Sequence, residues 1–299
     1  MSVYKQSTSF FSGPYRLAAH LYIPQQELGK LPAIVLVAPQ AGVKEQTVAN
    51  YAEKLAQKGF ITLTFDHASF GASEGEPRFH ENPYRKAEDI SHAVTFLRTH
   101  PQVDADNIHG VGVCSGGGYL AYTAVTDRRI KSVSTVSAYF DHRGFYHSVM
   151  GREGVLTLLE QVNKAREDYL RTGMINYLPH APEQDSEEMP ALFREFYDYY
   201  MTPRGQKGLY QSRFLPWSYE SLCRFSALDI AAQLTPTPLL MIVGSEAGSA
   251  YESKQMYQAA AEPKTLIQIN HANHVDLYDV EQYVNSATTE IFQFIKNNI

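Results

Sequence analysis

Cysteine is almost missing from this chain. Cys114 and Cys223 are the only two in 299 residues, too few for a disulfide framework, so a reducing compartment is the simpler expectation. Basic residues are in deficit: 26 Lys and Arg stand against 32 Asp and Glu, a net charge of −6, which argues against a nucleic-acid-binding surface. No apolar run is long enough to cross a membrane. The first ten residues hold a single Lys5 and no apolar h-region, so no secretion signal is expected. Walker-type loops, C-x-x-C pairs and H-E-x-x-H are lacking as well, so no cofactor or metal is indicated. The expectation is a soluble, cytoplasmic protein without nucleic-acid or membrane partners; a homodimer is compatible with it.

What is present is ample core material. Hydrophobic residues make up 44% and charged residues 19%, enough for one α/β domain with an insertion. Residues 4–11 and 15–23 flank Ser12-Gly13-Pro14 as two strands of a hairpin. The continuous apolar run 32–38 predicts a strand covered on both faces. A helix is expected over 46–59, a strand over 60–65 and a helix over 85–99. After the strand beginning at Ile108 come a helix over 119–126 and a strand over 131–138. From 141 to 228 no strand-like run occurs, and helical spacing marks 155–169 and 189–200. The alternation returns with a strand over 238–244, a helix over 251–261, a strand over 265–269 and a helix over 280–296. This order predicts a mostly parallel sheet with helices on both faces. The core would comprise 1–140 and 229–299, and 141–228 would form a helical cap. Aromatics such as Phe193, Phe196, Tyr199, Tyr200, Phe214 and Trp217 either build that cap's own core or line an apolar pocket beneath it.

The most informative stretch is Ile108-His109-Gly110-Val111-Gly112-Val113-Cys114-Ser115-Gly116-Gly117-Gly118-Tyr119. A strand that reverses directly into a helix exposes its turn residue and tolerates only small residues two before and two after it. Gly112 and Gly116 meet that condition for Cys114. Ser115 would place the branched Val113 in the turn. Cys114 is therefore the candidate nucleophile, with the Ser115 N–H as one oxyanion donor and the N–H of Gln40 or Ala41 as the other.

A free thiol, with pKa about 8.5, needs an imidazole to take its proton. The last strand is followed by Asn270-His271-Ala272-Asn273-His274-Val275-Asp276. His274, nearer the closing helix, is the expected base; His271 reads as a loop residue. The acid is expected at Glu246, after the strand 238–244, with Asp141 as the alternative. Asp276 reads as a turn cap and Asp66 as a tie within its own loop.

At these residues the chain resembles the α/β-hydrolase superfamily, and within it the dienelactone-hydrolase-like branch of polyketide transferases and thiohydrolases. The matching blocks are Gly42-Val43-Lys44-Glu45-Gln46-Thr47, Glu74-Gly75-Glu76-Pro77-Arg78-Phe79, the elbow, Thr126-Asp127-Arg128-Arg129-Ile130-Lys131, Gly244-Ser245-Glu246-Ala247 and His274-Val275-Asp276-Leu277-Tyr278-Asp279. The resemblance implies an α/β-hydrolase fold, a cysteine at the elbow and a histidine at position 274. The chain departs from relatives in having Gln40-Ala41 within the oxyanion loop, and Gly248 where an aspartate is usual. Expected activity is cleavage of a small-molecule ester, lactone or thioester of a small or medium apolar acyl group. Acyl transfer to another acceptor, or ligand binding without turnover, are the alternatives.

Overall fold

The computed structural model describes residues 1–25 and 29–298. β1 (Val3–Ser12) and β2 (Tyr15–Pro24) form the expected hairpin. The chain continues through β3 (Leu31–Val37), α1 (Thr47–Gln57), β4 (Ile61–Phe65), α2 (Pro83–Thr99), β5 (Val103–Val113), α3 (Ser115–Thr126) and β6 (Ile130–Val136). After the segment 141–228 come β7 (Leu239–Gly244), α7 (Ala250–Ala259), β8 (Lys264–Ile269), α8 (Asp276–Asp279) and α9 (Glu281–Lys296). The eight strands form one sheet in the order β1-β2-β4-β3-β5-β6-β7-β8. β2 pairs antiparallel with β4, and every pairing from β4 to β8 is parallel.

Alternation along the strands splits the core in two. Ala33, Val35 and Val37 point to the face covered by α2, α3 and α7, whereas Ile34 and Leu36 meet α1 and α9 on the other. Both faces are covered, which is why β3 reads as an unbroken apolar run, while β4 alternates Ile61, Leu63 and Phe65 with the buried Thr62 and Thr64. α2 starts where Asn82 accepts the N–H groups of Tyr84 and Arg85 ahead of Pro83 at the first helical position.

Between β6 and β7 lie α4 (His142–Thr172), α5 (Ala191–Tyr200) and α6 (Ser218–Leu222). No strand occurs there among the described residues, only an isolated bridge between Leu178 and Phe214. α4 starts thirteen residues before the periodic stretch that revealed it. Gly151, at φ 67°, interrupts the helix and obscures its first turns. No helix among the described residues is long and apolar enough to cross a membrane.

Candidate active site

β5 ends at Val113 and α3 begins at Ser115, which leaves Cys114 alone in the turn at φ 54° and ψ −129°. That backbone conformation is costly for any residue with a Cβ. The glycines are dictated by what surrounds them. A Cβ on Gly112 would stand 2.5 Å from the Gly116 carbonyl oxygen, and one on Gly116 would stand 2.3 Å from that of Val37. Backbone bonds lock the turn: the Cys114 N–H donates to Val136, and its carbonyl accepts from Gly117 and Tyr139.

The Cys114 side chain is buried. Burial pushes its thiol up, opposed by hydrogen bonding with four groups: the Tyr278 hydroxyl, the Ser115 hydroxyl at 3.9 Å, and the backbone N–H groups of Ser115 and Gln40. Gln40 and Ala41 were both candidates for the second donor. The Ala41 N–H is already given to Glu81 Oε2 at 2.9 Å, so Gln40 faces the sulfur. Glu81 anchors this loop from a fully buried position, accepting also from Lys86 Nζ at 2.7–2.8 Å and the Tyr119 hydroxyl at 2.8 Å. Burial would raise the Glu81 carboxyl, but the Lys86 ammonium and the hydrogen bonds hold it below its usual range.

His274 is fully buried. Its Nδ1 lies 2.5 Å from Ser249 Oγ, and its Nε2 lies 3.0 Å from the Tyr278 hydroxyl. The rings of Tyr139 and Phe196 flank it at 5.6 and 5.4 Å. Its backbone N–H donates to Glu195 Oε2 on α5 at 3.0 Å. No charged partner offsets its desolvation, so burial pushes the imidazole down to about 3.

Neither expected acid reaches this ring. Glu246 points outward and lies 3.4 Å from Nδ1 of His271, with both side chains more than 60% exposed. The reason is local: the Glu246 N–H is tied to the Ala272 carbonyl, which turns the intervening loop so that Ser249, not Glu246, faces inward. Asp141 is the N-cap of α4 and accepts the Gly144 N–H at 3.0 Å. Asp276 caps its turn by exchanging hydrogen bonds with Asn273. Asp66 binds Lys44 and the Ala72 N–H, which ties two loops together.

A family model described as X-Pro dipeptidyl-peptidase (S15 family) matches residues 12–276. The chain belongs to this α/β-hydrolase family. It is 36% identical to YcjY of Escherichia coli (strain K12), over 95% of this chain and 94% of that protein. The crystal structure of PA2218 from Pseudomonas aeruginosa superposes with a TM-score of 0.92 at 32% identity, covering 99% of this chain and 94% of that chain. More distant homologues include the thiohydrolase aneE of Aspergillus aculeatus, 25% identical over 81% of this chain and 78% of that protein. The polyketide transferase grgF of Penicillium sp. is 24% identical over 85% of each.

In this S15-family chain the elbow opens into a cavity of about 250 Å³. Gln40, Cys114 and Ser115 form its floor, and Phe145, Tyr146, Phe193, Phe196, Tyr200 and Phe214 are among its walls. The aromatics of 141–228 thus divide: these line the cavity, whereas Tyr199 packs against Tyr278 at 4.8 Å and Trp217 against Tyr169 at 5.5 Å. No Asp, Glu, Lys or Arg lines it among the described residues. Its two histidines, His142 and His180, are each pushed down to about 4 by burial, so they are neutral at pH 7. Among the described residues no group of His, Cys, Asp or Glu is placed to hold a metal ion.

Sequence reasoning missed Ser249, Tyr278, Glu195 and the Glu81–Lys86 pair. Tyr278 alone left a trace, since it follows His274 by four residues, one helical turn.

Proposed function

We propose that the protein cleaves a small or medium, uncharged acyl ester, lactone or thioester through an acyl intermediate on Cys114. One observation carries the reading. Two backbone N–H groups, from Gln40 and Ser115, converge on the sulfur of a residue held in a strained turn at the floor of an aromatic cavity. Such donors serve no packing purpose; aimed at a reacting centre, each contributes about 10²–10³ in rate by stabilising the oxyanion.

The thiol is neutral at rest, since burial disfavours the thiolate. His274, neutral well below pH 7, takes the thiol proton as sulfur attacks the acyl carbon. The oxyanion is held by the two N–H groups, and His274 then protonates the leaving group. Water repeats the sequence on the thioester. The helices of 141–228 serve as a lid that keeps the cavity apolar.

The family description names a dipeptidyl-peptidase. A substrate's N-terminal ammonium entering this cavity would meet no carboxylate among the described lining residues, and an unpaired buried ammonium costs several kcal/mol. A neutral acyl group meets no such penalty. The thiohydrolase and polyketide transferase among the homologues are consistent with acyl chemistry. Transfer to an alcohol or amine instead of water is the second reading, favoured by the aromatic walls.

The test is intact-protein mass spectrometry after brief exposure to p-nitrophenyl butyrate and to a butyryl thioester. A butyryl adduct on wild type that is absent from Cys114→Ala supports the reading. Undiminished turnover by Cys114→Ala overturns it. Product ratios with and without added alcohol separate hydrolysis from transfer.

A further inference from the structure

The sulfur and the imidazole share one neighbour, the Tyr278 hydroxyl. It lies 3.0 Å from Nε2 of His274, its hydrogen bonding opposes the rise that burial imposes on the Cys114 thiol, and the Tyr200 hydroxyl is its third partner. Its position is fixed from several sides. The ring packs edge-on against Tyr199 at 4.8 Å. The Tyr278 carbonyl accepts from the Thr47 hydroxyl and the Asn50 amide at 3.1 and 2.9 Å, and its N–H donates to Val275. A fully buried phenol whose hydroxyl contacts a thiol and an imidazole exceeds what packing requires.

We propose that Tyr278 is a catalytic residue, relaying the proton between Cys114 and His274. The inference rests on the acyl-cysteine reading above. With Nδ1–H of His274 donating to Ser249 Oγ, Nε2 is free to accept. As the Cys114 S–H bond breaks, its proton moves to the Tyr278 oxygen, and the tyrosine's own proton moves to Nε2. The sulfur electron pair forms the bond to the acyl carbon, and the carbonyl electrons settle on the oxygen facing Gln40 and Ser115. When this intermediate collapses, the imidazolium proton returns through Tyr278 to the departing oxygen or sulfur. Tyr278 ends each half-reaction as it began, protonated and neutral. Ser249 holds the imidazole's orientation in the place usually given to a carboxylate.

The experiment is single-turnover acylation by p-nitrophenyl butyrate, followed in H₂O, D₂O and their mixtures, for wild type and Tyr278→Phe. Phenylalanine keeps the ring and removes only the relay atom. General acid–base groups contribute about 10²–10⁴ in rate, so the acylation rate of Tyr278→Phe should fall by about 10²-fold or more. The wild-type rate should bend downward with deuterium fraction, as expected when two protons move together. A wild-type rate linear in deuterium fraction overturns the relay, whatever the variant does. A Tyr278→Phe rate equal to or above wild type overturns it as well. If Cys114→Ala still turns over the ester, the acyl-cysteine reading has failed; if only the relay criteria fail, that reading stands and Tyr278 is structural.

Discussion

Ser249 Oγ stands 2.5 Å from Nδ1 of His274, where a carboxylate would ordinarily orient a catalytic imidazole and steady its positive charge. A hydroxyl can do the first and not the second. His274 therefore sits near pKa 3 with no counter-charge in contact, and its base form persists through mild acid.

Replacing Ser249 by Asp should change that. A carboxylate there favours the imidazolium, so the His274 pKa rises. In wild type the imidazole should impose no acid limb on kcat/KM between about pH 4 and 7. In Ser249→Asp a limb should emerge in that window, with the rate falling as pH drops because the base becomes protonated. Identical profiles for the two proteins would remove His274 from the reaction.

The turn at Cys114 stores backbone strain that a glycine would release. Residues in such conformations carry about 1–3 kcal/mol, and Cys114 has φ 54°. Cys114→Ala keeps the Cβ and therefore the strain; Cys114→Gly loses it. Denaturant unfolding should find Cys114→Gly more stable than Cys114→Ala by about 1–3 kcal/mol, although glycine is the smaller residue, and both should lack acylation. The reverse order of stability would mean that the turn is relaxed.

The elbow could be read in the sequence because its glycines stand at fixed places around the nucleophile. Gly112 avoids the Gly116 carbonyl oxygen in the turn and Gly116 avoids those of Val37 and Ala38 at the end of β3, and a spacing of two either side of Cys114 records both. The sheet could be read too: β3, buried on both faces, leaves a continuous apolar run, and the period changes when the helices begin. The place of His274 after the last strand followed from chain order. Its partner on Nδ1 did not, because the choice between Glu246 and Ser249 is made by a single backbone bond from Glu246 to Ala272 across two loops. Nothing in the residue types announces that contact; carboxylate chemistry pointed to Glu246, and the loop turned it toward solvent and His271. Glu81 and Lys86 were hidden for another reason. Charged residues five apart near a helix start normally mark a solvated surface, and only packing under the Gln40 loop reveals them as buried.

That buried pair should be asymmetric to mutation. Lys86→Met would leave the Glu81 carboxylate buried beside an apolar chain, with the Ala41 N–H and Tyr119 hydroxyl as its remaining donors. Breaking one side of such a pair costs about 3–5 kcal/mol. Because Glu81 holds the Ala41 N–H, the neighbouring Gln40 donor should shift, and acylation should slow along with the loss of stability. Adding Glu81→Gln to Lys86→Met should recover part of the stability by removing the orphaned charge. A Lys86→Met protein with unchanged unfolding midpoint and unchanged acylation would contradict the burial of this pair.

Acid should unfold the protein through its histidines. His109, His142 and His180 are each pushed down to about 4, and His274 to about 3, all chiefly by burial. Unfolded, they would titrate near 6.5. Between those values the unfolded chain binds protons that the native state refuses, so stability is full above about pH 6.5 and is lost as pH falls toward 4. Glu252 works in the opposite sense: burial pushes its carboxyl up to about 7, so the native state keeps a proton that the unfolded chain has released above about 4.5. The imidazoles outnumber it, and for these five groups the net excess of three protons gives a slope of about 4 kcal/mol per pH unit. His142 offers a direct check, because its Nε2 finds no hydrogen-bond partner among the described residues and its ring packs against Phe225 and Tyr119. His142→Phe should keep that packing and lessen the slope by about 1.4 kcal/mol per pH unit. Urea titrations at half-unit intervals from pH 7 to 4.5 measure both quantities. A midpoint that stays constant across that range would show that these imidazoles are charged or solvated in the folded protein.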